Sequence, residues 1–365
     1  MTWAVAYENR PNTRMYVAAS EDGGRTFETP TWVVHDDSAW LPVIRLDGTG
    51  RLWATWTHFD LNPAHLLNPK DKYSNPAWQR VAYSDDAGKS WSKPVDIRKK
   101  RRSSTAFGTL AVSPSGKRVT AIWINYLFDV DVGHDAGTYL SAASLDGGRT
   151  FGPIRQVVRA GCVCCEPFGF WLDGNAALAF RGWTQGTRKR AVRDIKLSLA
   201  SAGGLWHSPT SVHSDDFLFE HCPSVGPAAL VDDAGLTHFA WWTGAARRAG
   251  YWYAIRDREG RMSEPIKIEK QPSAPSENNA TLAAGPGDIY WTATVGHGEY
   301  TASGKEDVSP NHVDVYAIRA DGRSQRMADA RIDGAYPQLA GLKDDVVQVW
   351  ESGGKIRARR LGVAG

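Results

Sequence analysis

The sequence predicts an all-β chain, a β-propeller of four-stranded antiparallel blades, and three observations carry that prediction. A short turn motif recurs in register along the chain. Strand–turn–strand segments alternate with it. The composition, with 16 Trp, 36 Gly and 19 Pro, favours short strands joined by turns over helices.

The turn motif comes first. Ser20-Glu21-Asp22-Gly23-Gly24-Arg25-Thr26-Phe27 recurs as Ser84-Asp85-Asp86-Ala87-Gly88-Lys89-Ser90-Trp91 and again as Ser144-Leu145-Asp146-Gly147-Gly148-Arg149-Thr150-Phe151. Decayed copies follow at Ser198–Trp206, Arg256–Met262 and Arg319–Ser324. An Asp carboxylate with Ser or Thr hydroxyls can tie off backbone N–H groups in a tight turn. Glycine supplies positive φ, and the closing aromatic packs between strands. Repetition at this period marks a stacked or circular array.

Between these turns, Leu41–Thr57, Ala106–Ile124, Pro167–Trp183, Pro227–Trp242, Thr281–Thr292 and Pro337–Trp350 each read as strand, turn, strand. Met1–Tyr7 reads as a second strand that has lost its partner, so seven blades are favoured over six. No linker or composition shift divides the chain, so residues 1–365 are expected to form one domain. Trp56, Trp123 and Trp350 end second strands and are expected in the core between blades.

Charge and hydropathy exclude several partners. A formal net charge of +3 does not imply nucleic-acid binding, and no stacking motif accompanies the basic residues. Arg98–Arg102 with Arg188, Lys189, Arg190, Arg247 and Arg248 makes one face positive, which suits a small-molecule ligand or an anionic glycan. No apolar run reaches the roughly 18 residues that span a membrane. The chain begins in a strand-like segment, so no signal peptide is read at its start.

If the Ser-x-Asp turns mark one face of the disc, ligand-binding loops converge on the other. There the sequence places Cys162, Cys164, Cys165, Cys222 and His221 as candidate metal ligands, with Glu166 and Glu220 beside them. Cys162 and Cys222 stand at the same offset before Pro167 and Pro227, which open neighbouring inner strands. Three readings stay open: a disulfide such as Cys162–Cys222, a thiolate metal site, or free or redox-active thiols. For a metal, soft sulfur selects copper as Cu(I), with zinc as the alternative.

The turn motifs resemble the Asp boxes of the sialidase and BNR-repeat families. Gly161–Pro167, Arg193-Asp194-Ile195 and Cys222–Pro227 resemble a subgroup of bacterial propellers called sialidase-like, with a Cys-x-Cys-Cys and a Cys-Pro-x-x-Gly-Pro motif. The resemblance implies a periplasmic or secreted setting. It also implies an exo-glycoside hydrolase on an acidic glycan, using an Asp acid/base, a Tyr nucleophile helped by Glu, and arginines on a carboxylate. On this sequence those roles fall to Asp36 or Asp37, to Tyr336 with Glu220 or Glu277, and to Arg181 with Arg193. The family's Arg-Ile-Pro motif does not occur; Leu41-Pro42-Val43-Ile44-Arg45 holds similar residues in another order. Three outcomes therefore stand side by side: a cysteine-rich copper site, a sialidase-like hydrolase, or a binding scaffold without turnover.

Overall fold

A computed structural model describes residues 2–7, 15–33, 38–60, 62, 76–97, 104–126, 136–185, 191–220, 223–246, 248–268, 274–275, 280–296, 300–301, 304–305, 312–319, 322–327 and 332–361. Every regular element among them is a strand, and no helix is long and apolar enough to cross a membrane.

Four four-stranded antiparallel blades and a fifth, which belongs to a six-stranded sheet, follow one another along the chain. Their innermost strands are Ala39–Leu46, Ser104–Val112, Phe168–Leu172, Ala228–Val231 and Thr281–Ala284. Each pairs outward, through strands such as Leu52–Phe59 and Ala77–Ser84 in the first blade. The two ends of the chain supply two three-stranded sheets, Thr2–Tyr7 with Met15–Ser20 and Thr31–Trp32, and Ala335–Gly341 with Val346–Ser352 and Lys355–Leu361. Gly24 of the first end sheet lies against Val347 of the second. The ring has six blades, which corrects the expectation of seven. Neither end sheet has four strands among the described residues. Thr2–Tyr7 pairs with Met15–Ser20, but that hairpin does not build a further four-stranded sheet.

The three Ser-x-Asp turns close alike. Ser84 Oγ donates to Asp86 Oδ1 at 2.8 Å and accepts from Gly88 N at 2.8 Å, while Ser90 donates to Asp86 Oδ2. Ser20 and Asp22 repeat this pattern, as do Ser144 and Asp146. Hydrogen bonds from the turn's own hydroxyls and amides hold all three carboxyls below the usual carboxylate range. Ser84 is buried at 1% exposure, so Ser84→Ala strands Gly88 N and should lower stability by about 1–2 kcal/mol. The midpoint of urea unfolding measures this, and an unchanged midpoint would show the turn to be dispensable.

A second device recurs on the same face. Trp53 Nε1 donates to Asp47 Oδ2 at 2.9 Å in the first blade, and His238 Nε2 sits 3.1 Å from Asp232 Oδ2 in the fourth, at the same six-residue offset. His238 Nδ1 also meets the Tyr253 hydroxyl at 2.5 Å. This Tyr–His–Asp chain looks catalytic in isolation. Its repetition as Asp47–Trp53 identifies it as a brace on the strand-one to strand-two turn. A groove of about 370 Å³ opens nearby, lined by Asp47, Ser115, Lys117, Asp146 and Arg149. Its two carboxylates are already committed to turn hydrogen bonds.

The core lies between the blades. Trp53, Trp56, Trp241, Trp242 and Trp291 are at most 1% exposed, Trp123 2% and Trp350 7%. Apolar area on this scale is the main stabilising term for such a ring.

The inner strands share one irregularity, and it positions the site. The first, second and last inner strands shift register at Trp40/Val43, Ala106/Thr109 and Ala335/Gln338. In each bulge one non-glycine residue takes positive φ: Leu41 at 50°, Phe107 at 45° and Tyr336 at 55°. A bulge bends the strand and re-aims its side chain. All three stand where the inner strand begins, on the face opposite the Ser-x-Asp turns.

Candidate functional site

Arg45 belongs to the first inner strand, and its side chain crosses to the next two. Its Nη1 donates to Ile44 O at 3.0 Å and its Nη2 reaches Thr109 Oγ1 at 3.4 Å. The guanidinium lies 4.5 Å from the centroid of the Phe168 ring. Thr109 Oγ1 also accepts from Gly169 N at 3.0 Å, joining the second and third inner strands. The Arg45 Nε–H has no acceptor.

Glu166 is the ionisable neighbour of this guanidinium. Burial pushes the Glu166 carboxyl up, with Arg45 opposing the shift, and burial pulls Arg45 down to about 10 with Glu166 opposing. Each group is half-buried. Desolvation therefore outweighs their mutual attraction in both, and both are driven towards neutrality. At neutral pH Arg45 is still a cation, while Glu166 keeps its proton to higher pH than an ordinary glutamic acid.

Arg181 has a different use from the expected anion clamp. At 1% exposure, it donates from Nε to Val225 O, from Nη1 to Arg193 O and from Nη2 to Trp242 O, each at 2.7 Å. Three of the five guanidinium donors are thus committed to main-chain carbonyls. Arg181 is a brace between the third and fourth blades. Burial pulls its pKa to about 10, and Asp215 and Asp194 oppose that shift. Asp194 accepts from Phe217 N at 3.0 Å, and burial raises its pKa. Asp215 accepts from Trp241 Nε1 at 2.7 Å and pairs with His213 at 2.9 Å.

The other sequence-derived residues fall as follows. Arg193 is buried at 1% exposure, about 6.0 Å above the Trp183 ring. Glu220 is half-buried, just beyond the short strand Leu218–Phe219. Tyr336 is 57% exposed on its bulge. Asp36, Asp37, His221, Cys222 and Glu277 lie outside the described residues. The absent order Arg-Ile-Pro does not single out Arg45. Its signal was strand alternation, which sets Arg45 on the face of buried Val43.

The cysteines gather at the end of the strand Arg155–Cys162. Cys162 and Cys165 form a disulfide with Cα atoms 5.5 Å apart, so the bridge runs within one loop and corrects the expected Cys162–Cys222 pairing. Half-buried Cys164 places its Sγ 3.8 Å from that of Cys162, and the three sulfurs lie within 4.8 Å of one another. None of the described cysteines is a free thiol. The Tyr139 hydroxyl donates towards Cys162 O at 3.3 Å and Cys165 O at 3.5 Å. Its ring fills the place of a side chain at residue 161, where a Cβ would come within 2.0 Å.

No family model matches the chain, and no curated protein matches it. Solved structures do. An intramolecular trans-sialidase from Ruminococcus gnavus, in complex with oseltamivir carboxylate, is similar over 90% of this chain and 95% of its own, at TM-score 0.54 and 9% identity. A Dyadobacter fermentans protein of unknown function is similar over 88% and 93%, at TM-score 0.54 and 12% identity. A Hadza microbial sialidase covers 96% of this chain and 74% of its own, at TM-score 0.51 and 13% identity. At these identities the likeness shows a sialidase-type propeller fold.

Proposed function

We propose that this chain is a glycoside hydrolase that cleaves a sugar bearing a carboxylate. One observation carries the reading: the half-buried cation Arg45, with an unused Nε–H, stands beside Glu166, whose carboxyl burial pushes up. Arg45 receives the substrate carboxylate, and Glu166 delivers a proton to the departing glycosidic oxygen. Glycoside cleavage needs a second group on the opposite side of the ring. Tyr336, the most exposed of the three bulge residues, takes that part. The similar folds whose names include sialidases support the substrate class.

A panel of fluorogenic sialosides and uronides, assayed between pH 4 and 8, tests the reading. Release of fluorophore from at least one is expected. Silence across the panel, with or without binding of the free sugar acids, would leave only a binding scaffold. On a substrate that is cleaved, Arg45→Gln removes a charge-assisted contact of about 2–3 kcal/mol. It is expected to lower kcat/KM by roughly 30–100-fold. A change under threefold would remove Arg45 from the site.

A further inference from the structure

We infer that the Cys162–Cys165 disulfide positions Glu166 for proton transfer, so that its reduction by a dithiol slows hydrolysis. The role given to Glu166 rests on the glycosidase reading, whereas its attachment to the bridge does not. Cys165 is the residue before Glu166, and its sulfur is bonded to Cys162, the last residue of the strand Arg155–Cys162. Glu166 lies outside the regular strands, and Pro167, with its fixed φ, leads into the inner strand Phe168–Leu172. The carboxyl is thus carried on a short connection clamped at both ends.

The two clamps hold different things. After Glu166, Gly169 N donates to Thr109 Oγ1, which also receives Arg45 Nη2, and the Phe168 ring lies 4.5 Å from the Arg45 guanidinium. That side forms one unit with Arg45. Before Glu166, Gly161 pairs with Gly182, and Val163 packs in the core with Tyr139 and Phe180, so the strand end is anchored. The Tyr139 hydroxyl approaches Cys162 O at 3.3 Å and Cys165 O at 3.5 Å. It has one proton for two carbonyls, and both distances are long for an O–H···O bond. The disulfide is the covalent route from the anchored strand end to Cys165. Opening it leaves Arg45 and its neighbours in place and frees the carboxyl on one side only. Substrate binding should then survive while proton delivery suffers, since a misplacement of about 1 Å can cost roughly 10²-fold. Reduction takes two electrons and two protons from a dithiol, which leaves as its own disulfide, and gives thiols at Cys162 and Cys165.

The test compares the whole parent chain, the same chain reduced with dithiothreitol under anaerobic conditions, and the double variant Cys162→Ala/Cys165→Ala, which removes this bridge alone. Near-UV circular dichroism checks that each is folded, and the reduced parent decides the question should the variant not fold. On a carboxylated disaccharide, kcat is expected to fall roughly 10- to 100-fold with KM within about threefold. An aryl glycoside should be nearly unaffected, and reoxidation of the reduced parent should restore kcat. The Glu166 carboxyl carbon, labelled with ¹³C and assigned by its loss in Glu166→Gln, gives a readout that needs no turnover. Its resonance should move towards that of exposed glutamates when the bridge is opened. A resonance that stays in place would overturn the inference whatever the activity. So would an unchanged kcat, an equal loss on both substrates, or unfolding of both bridge-free forms, which would make the bridge a structural staple. A chain silent on every substrate but with a shifted resonance would end the glycosidase reading, and with it the role in proton transfer, while showing that the bridge places Glu166.

Discussion

Replacing Glu166 with glutamine is expected to cut hydrolysis of a carboxylated disaccharide by roughly 10²- to 10⁴-fold, the usual contribution of a positioned general acid. Glutamine keeps the shape but carries no acidic proton. On an aryl glycoside, whose phenolate departs without much help, the loss should be much smaller, and this contrast separates proton donation from substrate binding. The pH profile adds a second check. Burial raises the folded-state pKa of Glu166, so the reactive protonated form is lost as pH rises through that value. The same linkage acts on stability: the contribution from Glu166 is complete below its unfolded pKa of about 4.3 and is lost as pH rises through the folded value. Glu166→Gln should remove the descending limb of the activity profile. If both substrates slow equally and the limb survives, Glu166 is not the acid.

Arg181→Met should have the largest effect on stability. The substitution leaves the carbonyls of Val225, Arg193 and Trp242 without their donor in a site that water does not enter. Each stranded acceptor costs about 1–3 kcal/mol, giving a loss on the order of 4 kcal/mol or more. A domain stable by roughly 5–15 kcal/mol would then be close to unfolding at 25 °C. Arg181→Lys keeps the charge but cannot reach three carbonyls at once, so it should fall between the two. Urea unfolding of the three proteins measures the series. An Arg181→Met midpoint equal to the parent's would mean that the brace contributes nothing.

Arg181 also shows where sequence reading stops. The residues of the Ser-x-Asp turns lie within a few positions of one another, so their hydrogen bonds could be foreseen from composition and order. Trp56 and Trp123 were legible for a similar reason, because strand alternation fixes which side faces the neighbouring blade. The acceptors of Arg181 come instead from three separate segments, and only the fold brings Val225 and Trp242 to it. Arg45 and Glu166 are likewise far apart in the chain and meet through ring closure. The blade number depends on how the sheets at the two ends of the chain are counted in the ring, a long-range fact without a local signature. For Cys162 the sequence offered three possible partners, and the loop geometry after the strand chose Cys165.

The bulges at Leu41, Phe107 and Tyr336 carry an evolutionary consequence. A left-handed non-glycine residue costs on the order of 1 kcal/mol, yet the chain repeats this conformation with three unrelated side chains. The backbone thus repeats one bulge at the start of three inner strands and carries a different side chain on each. Exchanging an occupant would retune what the pore accepts while leaving the surrounding sheets untouched. A common ancestor could diversify its ligands at these positions without having to refold.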